Sequence, residues 1–161
     1  MIVVSNTSPI LNLVIVGQLD ILKSLYQRVY IPKAVFYEIS DYLFDKPDRA
    51  FIETFPWIEI RPINNHSLFE SLSLELHEGE AEAITLALEM KSDLLLLDER
   101  HGYDIASRLN IKSIGLLGSL IEAKHNKVIS LVKPILDDLI IKAGFWISKD
   151  LYNHVLKIAG E

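Results

Sequence analysis

Four consecutive leucines at residues 94–97 constrain the fold of this chain more than any other stretch of its sequence. Asp93 precedes them and Asp98 follows them. An unbroken apolar run of this length between polar residues is typical of a strand that is buried on both faces of a parallel sheet. Parallel strands need crossover connections, usually helices, so the run predicts an α/β fold in which this segment is a central strand.

The rest of the chain alternates strand patterns with helix patterns, which favours three α/β/α layers around a parallel sheet. Further strands are predicted at residues 1–4, 29–31, 57–60 (a short edge strand) and 111–114. Residues 41–49, with Pro47, are predicted to form a loop. The first predicted helix runs from the Thr7-Ser8-Pro9 capping pattern to about Tyr26, and the second begins at Pro32. A third covers residues 79–90, and a fourth passes through Ile105 and Leu109. Three more begin near Leu117, Ser130 and Ser148.

Composition limits the classes of function. The length of 161 residues fits one domain, residues 1–161, and a chain without cysteine has no disulfide, thiolate zinc site or cysteine nucleophile. No apolar run approaches the roughly 20 residues that span a bilayer, and the opening MIVVSNTSP lacks a basic signal-peptide region, so we expect a cytoplasmic protein. A net charge of -6 argues against a broadly basic nucleic-acid clamp, so any phosphate binding should be local or metal-assisted.

Four polar side chains are candidates for a site at one edge of the sheet. Asn6 and Asp98 each follow a predicted strand, and ligands of open α/β sheets bind beyond the carboxyl ends of strands. Glu38 and Glu80 lie on helices that border the same edge. Oxygen ligands of this kind suit Mg²⁺ or Mn²⁺, and a bound metal favours phosphodiester hydrolysis. Each residue also has a purely structural interpretation: Asn6 and Asp98 as caps, Glu80 at a positive helix end, and Glu38 in solvent.

Several motifs in order resemble the PIN domain superfamily, and within it the small prokaryotic DUF3368 proteins. The motifs cover nearly the whole chain: VSNTSPILNL, YIPKAVFYEI, HEGEAEAITLALE, LLLLDER, SIGLLGSLIEAK and ISKDLYNHVLK. The resemblance implies a PIN-like α/β/α fold with a cluster of acidic metal ligands. It also implies Mg²⁺- or Mn²⁺-dependent ribonuclease activity, often as the toxin of a toxin–antitoxin pair, and a homo-oligomer.

Residue by residue, the resemblance places the acidic positions at Asn6, Glu38, Glu80 and Asp98 as metal ligands. Ser8 matches the hydroxyl that follows the first position. Glu82 and Glu99 are near alternatives, because GEAEA and LDE each offer a second carboxylate.

Two residues depart from the family pattern. Asn6 stands where active nucleases have Asp, and an amide oxygen coordinates metal without supplying negative charge or accepting a proton. Tyr103 stands where an Arg is expected, and Arg100 or Arg108 either replaces that phosphate contact or is an ordinary solvated charge.

The leading hypothesis is therefore a metal-dependent ribonuclease that acts on single-stranded or structured RNA, with an antitoxin protein as a further partner. The alternative is a catalytically attenuated PIN-fold module that binds nucleic acid or antitoxin. A third hypothesis is Mg²⁺-dependent phosphotransfer, against which Asn6 argues, since the first strand of such folds ends in the nucleophilic Asp.

Other site classes have little support. No histidine pair has H-E-x-x-H spacing, which argues against a zinc hydrolase and predicts surface or packing roles for His66, His77, His101, His125 and His154. No G-x-S-x-G turn surrounds Ser5 or Ser8, so a serine hydrolase is rejected. The GLLG segment at residues 115–118 lacks the Lys and Ser/Thr of a phosphate-binding loop. The apolar stripe of Ile147, Leu151, Val155 and Ile158 predicts a packed last helix.

Overall fold

A computed structural model describes residues 1–44 and 52–161. Within these residues one sheet contains five parallel strands in the order β3-β2-β1-β4-β5. The strands are β1 (Val3–Ser5), β2 (Val29–Pro32), β3 (Ile58–Arg61), β4 (Leu94–Leu96) and β5 (Ser113–Ile114). The register pairs Val3–Ser5 residue by residue with Leu94–Leu96, so β1 and β4 end side by side.

Helices follow the strands along the described chain, with one additional 3-10 turn at Ile52–Thr54. They are α1 (Thr7–Ile15), α2 (Asp20–Tyr26), α3 (Lys33–Leu43), α4 (His66–Leu72), α5 (Glu78–Glu89), α6 (Arg100–Arg108), α7 (Leu116–His125), α8 (Lys133–Lys142) and α9 (Lys149–Ile158). In the described part of the chain no helix combines the length and the apolarity of a membrane span.

The four leucines are divided between two apolar clusters, because successive side chains of a strand point to opposite faces. Leu94 and Leu96 pack in the cluster that contains α1, α2, α3, α7, α8 and α9. Leu95 and Leu97 pack in the other cluster, with α4, α5 and α6. All four are at most 4% exposed. The predicted parallel sheet with helices on both faces is thereby confirmed.

Local details differ from the sequence-based expectations. The stretch predicted as one helix up to Tyr26 is two helices, since the chain turns at Gly17, whose φ is +70°. β4 is an interior strand, but β1 occupies the middle of the sheet. The edge strand near residues 57–60 is confirmed as β3, and α4 was not predicted.

The loop predicted at residues 41–49 is wrong in its first part, because α3 continues through Leu43. Residues 45–49 of that predicted loop lie outside the described residues.

Candidate functional site

A cleft of about 270 Å³ opens at the carboxyl edge of the sheet. Asn6 enters it directly after β1, where its backbone N–H donates to the Leu96 carbonyl of β4 at 3.0 Å. Helices α1, α3 and α5 and the start of α6 supply the remaining wall. The lining residues are Asn6, Thr7, Ser8, Leu11, Asn12, Glu38, His77, Glu80 and Glu99.

Two buried oxygens in this cleft have no hydrogen-bond partner. Asn6 is 4% exposed and Glu80 is 6% exposed, and neither Asn6 Oδ1 nor Glu80 Oε1 accepts a hydrogen bond. Asn6 stands at the N-cap position of α1, yet its side chain does not cap the helix. An unsatisfied buried acceptor costs about 1–3 kcal/mol. Both residues line the same cleft, so a cation or an ordered water bound there would satisfy these acceptors.

The Glu80 carboxyl is held in an environment that disfavours its charge. Burial raises its pKa above the ordinary value, and the negative charge of Glu99 raises it further. A long backbone hydrogen bond from His77 N at 3.4 Å, and the nearby His77 and His101 side chains, oppose that rise only in part. Glu80 is thus a carboxylate that would gain from a nearby cation.

Glu38 is fixed at the junction of three helices. Its Oε2 accepts a hydrogen bond from the Thr7 hydroxyl of α1, and its Oε1 accepts one from Gly79 N of α5 at 3.1 Å. A Cβ at Gly79 would lie only 2.6 Å from both carboxylate oxygens. Glycine is therefore required at position 79 for Glu38 to stand where it does.

Asp98 lines a second cleft, of about 450 Å³, and not the first. Its Oδ1 accepts a hydrogen bond from Leu116 N at 2.6 Å, and its Oδ2 accepts one from the Ser8 hydroxyl at 3.2 Å. Burial raises the pKa of Asp98, these two hydrogen bonds lower it, and the Glu99 charge raises it, with a net rise. The other lining residues are Gly115, Leu117, Gly118, Phe145, Trp146 and Leu151.

The neighbouring carboxylates of the LDE motif therefore face different clefts. Glu99 is exposed, stands at the N-cap position of α6 and lines the first cleft with Asn6, Glu38 and Glu80. Glu82 is directed elsewhere, since its Oε2 accepts a hydrogen bond from Ala34 N at the start of α3, at 2.8 Å. Of the two near alternatives, geometry favours Glu99 as a member of the acidic cleft.

A preformed metal cage is absent from residues 1–44 and 52–161: no three His, Asp or Glu side chains there converge closely enough to hold an ion. Glu38 and Asp98 each accept hydrogen bonds from protein donors. The chemistry of the donors nevertheless fits a hard cation, because the first cleft offers carboxylate and amide oxygens, two of them buried and unpartnered. Asn6, Glu38, Glu80 and Glu99 supply these oxygens.

Sequence analysis missed the glycines that make room for the carboxylates. A Cβ at Gly102 would lie 3.1 Å from Glu80 Oε1, and one at Gly115 would lie 2.9 Å from Asp98 Oδ1. Gly79 and Gly102 stand in the first turns of α5 and α6, and Gly is a poorer helix former than Ala. A glycine inside a helical pattern is therefore a usable signal of close approach.

The five histidines are exposed, and one of them also lines the candidate site. His77, predicted to have a surface or packing role, lines the first cleft. Arg100 and Arg108 are exposed, and Tyr103 is 45% exposed.

Comparison with known families gives one match. The family model for DUF3368, described as a PIN domain, matches residues 2–161. None of the curated proteins matches the chain.

Proposed function

This chain belongs to the DUF3368 family of PIN domains, and from that premise we propose that it is a metal-dependent endoribonuclease whose active site is the first cleft. PIN domains generally use divalent metal ions and have a nuclease-type fold. The observation that supports the proposal for this chain is the pair of buried, unpartnered oxygens, Asn6 Oδ1 and Glu80 Oε1, in an otherwise acidic cleft. Mg²⁺ or Mn²⁺ would satisfy both.

Asn6, Glu38, Glu80 and Glu99 are the proposed metal ligands, with Glu99 in the position first assigned to Asp98. A divalent ion bound there supplies a water of lowered pKa and neutralises charge on the scissile phosphate. The protein holds Glu38 in place through Thr7 and Gly79. With a net charge of -6 and three carboxylates lining the cleft, phosphate is attracted only when the cation is present.

Asp98 and Ser8 act as positioning residues in this proposal. Asn12 Nδ2 donates to Ser8 Oγ at 3.0 Å, and Ser8 Oγ in turn donates to Asp98. The Ser8 proton is therefore directed toward Asp98 and not into the first cleft. Asp98 also accepts from the N-terminus of α7 at Leu116, so it joins α1, the end of β4 and α7, and sets the backbone from which Glu99 projects.

The test is cleavage of a mixed single-stranded RNA panel with Mg²⁺ or Mn²⁺ by the native protein, Glu99→Gln and Asp98→Asn, purified identically. We expect the native protein to cleave and Glu99→Gln to lose roughly 100-fold or more of the rate. Asp98→Asn keeps an oxygen for Leu116 N and should lose less. Equal cleavage by native protein and Glu99→Gln would mean a contaminating nuclease or a wrong site, and a greater loss in Asp98→Asn would return the fourth ligand to Asp98.

A second candidate function is an attenuated module that binds RNA without cutting it. Asn6 favours it, because the buried amide supplies no charge to a metal and accepts no proton. Asn6→Asp decides between the two in the same assay. Cleavage by Asn6→Asp alone would mean that the fold is competent and the native site attenuated.

The proposal extends to the cellular role that the family suggests: a cytoplasmic toxin, residues 1–161 acting as one domain and as a homo-oligomer, restrained by an antitoxin. Expression in a bacterial host tests it directly. Growth arrest by the native protein but not by Glu99→Gln, relieved by a neighbouring gene, is the expected result. Arrest by both proteins alike would refute the link between toxicity and this site.

A further inference from the structure

The second cleft presents a large aromatic ring to solvent. Trp146 is 84% exposed, and it lies between α8 and α9 beside Phe145, Leu117 and Leu151. Indole rings are usually mostly buried, because each hides a large apolar area on folding. An exposed indole at the rim of a 450 Å³ cleft is therefore a surface without its partner.

The backbone beneath Trp146 is held firmly. Phe145 N donates to the Leu139 carbonyl of α8 at 3.0 Å, and Gly144, with φ of +66°, makes the turn that allows this bond. The Phe145 side chain packs against the larger apolar cluster. Trp146 thus follows an anchored residue, so the backbone that carries the indole is already ordered before a ring stacks on it.

The two clefts are lined by residues that are hydrogen-bonded to each other. Ser8 lines the first cleft, Asp98 lines the second, and the Ser8 hydroxyl donates to Asp98 Oδ2 at 3.2 Å. A strand whose phosphate lies in the first cleft would therefore carry a neighbouring nucleotide over the second.

Charge decides which part of that nucleotide fits. Among the described residues that line the second cleft none is Lys or Arg, and the one ionisable group is the Asp98 carboxyl. A phosphate placed there would face a carboxylate. A base would present its π face to Trp146 and Phe145 and its N–H groups to Asp98, which suits both parts of the lining.

We propose that the second cleft is a nucleobase subsite, in which one unpaired base of the RNA strand stacks on Trp146 beside Asp98. This inference rests on the proposed RNA substrate of the first cleft. It assigns the chain a preference for unstacked, single-stranded RNA, because a base inside a duplex cannot reach the indole.

The test measures affinity for a labelled RNA hexanucleotide, with Ca²⁺ in place of Mg²⁺ so that binding is followed apart from cleavage. Trp146→Ala should weaken binding by roughly 5- to 100-fold, and Trp146→Phe should keep it within about threefold, since stacking on an aromatic side chain is tolerant of the ring. Ile141→Ala, which removes a 78% exposed apolar side chain from α8, is the matched control and should change nothing.

A set of hexanucleotides with one abasic position each sharpens the test. Removal of the base at one position should weaken RNA binding by the native protein as much as the Trp146→Ala substitution does. The same removal should not weaken binding by Trp146→Ala any further, because the two alterations remove one interaction. Quenching of Trp146 fluorescence by RNA, against the constant background of the buried Trp57, should vanish in Trp146→Phe.

Each outcome bears on the proposal. Equal affinity of native protein and Trp146→Ala, or no RNA binding at all, overturns the subsite, even if the native protein cleaves RNA and the nuclease proposal stands. Trp146-dependent binding without cleavage by the native protein supports the subsite and removes the nuclease proposal. A change in the sedimenting mass of Trp146→Ala, with unchanged RNA affinity, makes this surface a protein contact and overturns the subsite as well.

Discussion

Replacing Glu80 by Gln should stabilise the metal-free protein and should remove the divalent-ion binding that we propose for the first cleft. The ionised carboxylate of Glu80 is 6% exposed, Oε1 has no partner, and Oε2 accepts only one long hydrogen bond from His77 N at 3.4 Å. Gln has nearly the same shape and no charge. The substitution therefore removes an uncompensated buried charge without opening a cavity.

The size of the stabilisation follows from the number of hydrogen bonds that the Glu80 carboxylate accepts. A hydrogen bond to a charged group contributes about 1.5–3 kcal/mol and one to a neutral group about 1 kcal/mol. One missing bond is therefore costlier for the carboxylate than for the amide by about 0.5–2 kcal/mol. For a chain of this length each kcal/mol shifts the unfolding temperature by about 2–4 °C. We expect Glu80→Gln to unfold about 1–8 °C higher than the native protein in EDTA.

The pH dependence has a definite sign. Burial first, and then the Glu99 charge, raise the pKa of Glu80 in the folded protein above its ordinary value. The folded state then binds this proton more tightly than the unfolded state, so native stability falls as pH rises through the raised pKa. The advantage of Glu80→Gln should be full above that pKa and should shrink as pH falls toward the ordinary value of 4.5.

Thermal unfolding of the native protein and of Glu80→Gln in EDTA, from acidic to neutral pH, measures the difference in their unfolding temperatures. Addition of Mn²⁺ should raise the unfolding temperature of the native protein alone. Glu82→Gln is the matched control on the same helix, because Glu82 Oε2 already accepts from Ala34 N at 2.8 Å and should gain nothing on neutralisation. A lower unfolding temperature for Glu80→Gln, or equal stabilisation of both proteins by Mn²⁺, would refute the reasoning.

Three further predictions follow from contacts of single side chains. Gly79→Ala places a Cβ 2.6 Å from the Glu38 carboxylate, so metal-dependent stabilisation and RNA cleavage should fall by roughly tenfold or more. Stability in EDTA should be kept, and thermal unfolding and cleavage assays measure both effects. Unchanged cleavage would contradict the role of Glu38. Asp98→Ala leaves Leu116 N without its acceptor and should lower the free energy of unfolding in urea by about 1–3 kcal/mol. Glu99 is exposed, so Glu99→Ala should change that free energy by no more than about 0.5 kcal/mol. Equal losses in the two variants would argue against the structural role of Asp98. The Glu161 carboxylate accepts hydrogen bonds from Val132 N, Lys133 N and Lys124 Nζ at 2.7, 3.0 and 2.9 Å. Glu161→Gln weakens these bonds and should lower the free energy of unfolding by about 1 kcal/mol at low salt and by less at 1 M salt. A loss that does not depend on salt would rule out the electrostatic contribution.

Much of the fold was predictable, because burial on both faces of a parallel strand leaves a direct mark in the sequence. The leucines at 94–97 had to be divided between two apolar layers, and they are. The end of α1 near Val16 was harder to predict, because Gly17 is tolerated inside a helix as well as at a turn. Only the positive φ of Gly17 in the structure shows that the chain turns there.

The residue types of the candidate site can be read from the sequence, but the directions of their side chains cannot. Asp98 and Glu99 are adjacent carboxylates after the same strand, and the sequence offers no means of telling which of them turns toward Asn6. That choice depends on where β4 ends and where α6 begins, at Leu96 and Arg100. Element boundaries of this kind are set by tertiary packing, so a shift of one residue exchanges the two side chains.

The close approach of Gly79 to Glu38 also restricts how this sequence can change over time. Glu38→Asp shortens the side chain by one methylene and draws the carboxylate back from α5, so Gly79→Ala should be far less harmful in that background than in the native one. The two substitutions are therefore expected to be non-additive, and a double-mutant cycle would measure the coupling. Across related chains, we expect a bulkier residue at position 79 to occur together with a shorter acid at position 38.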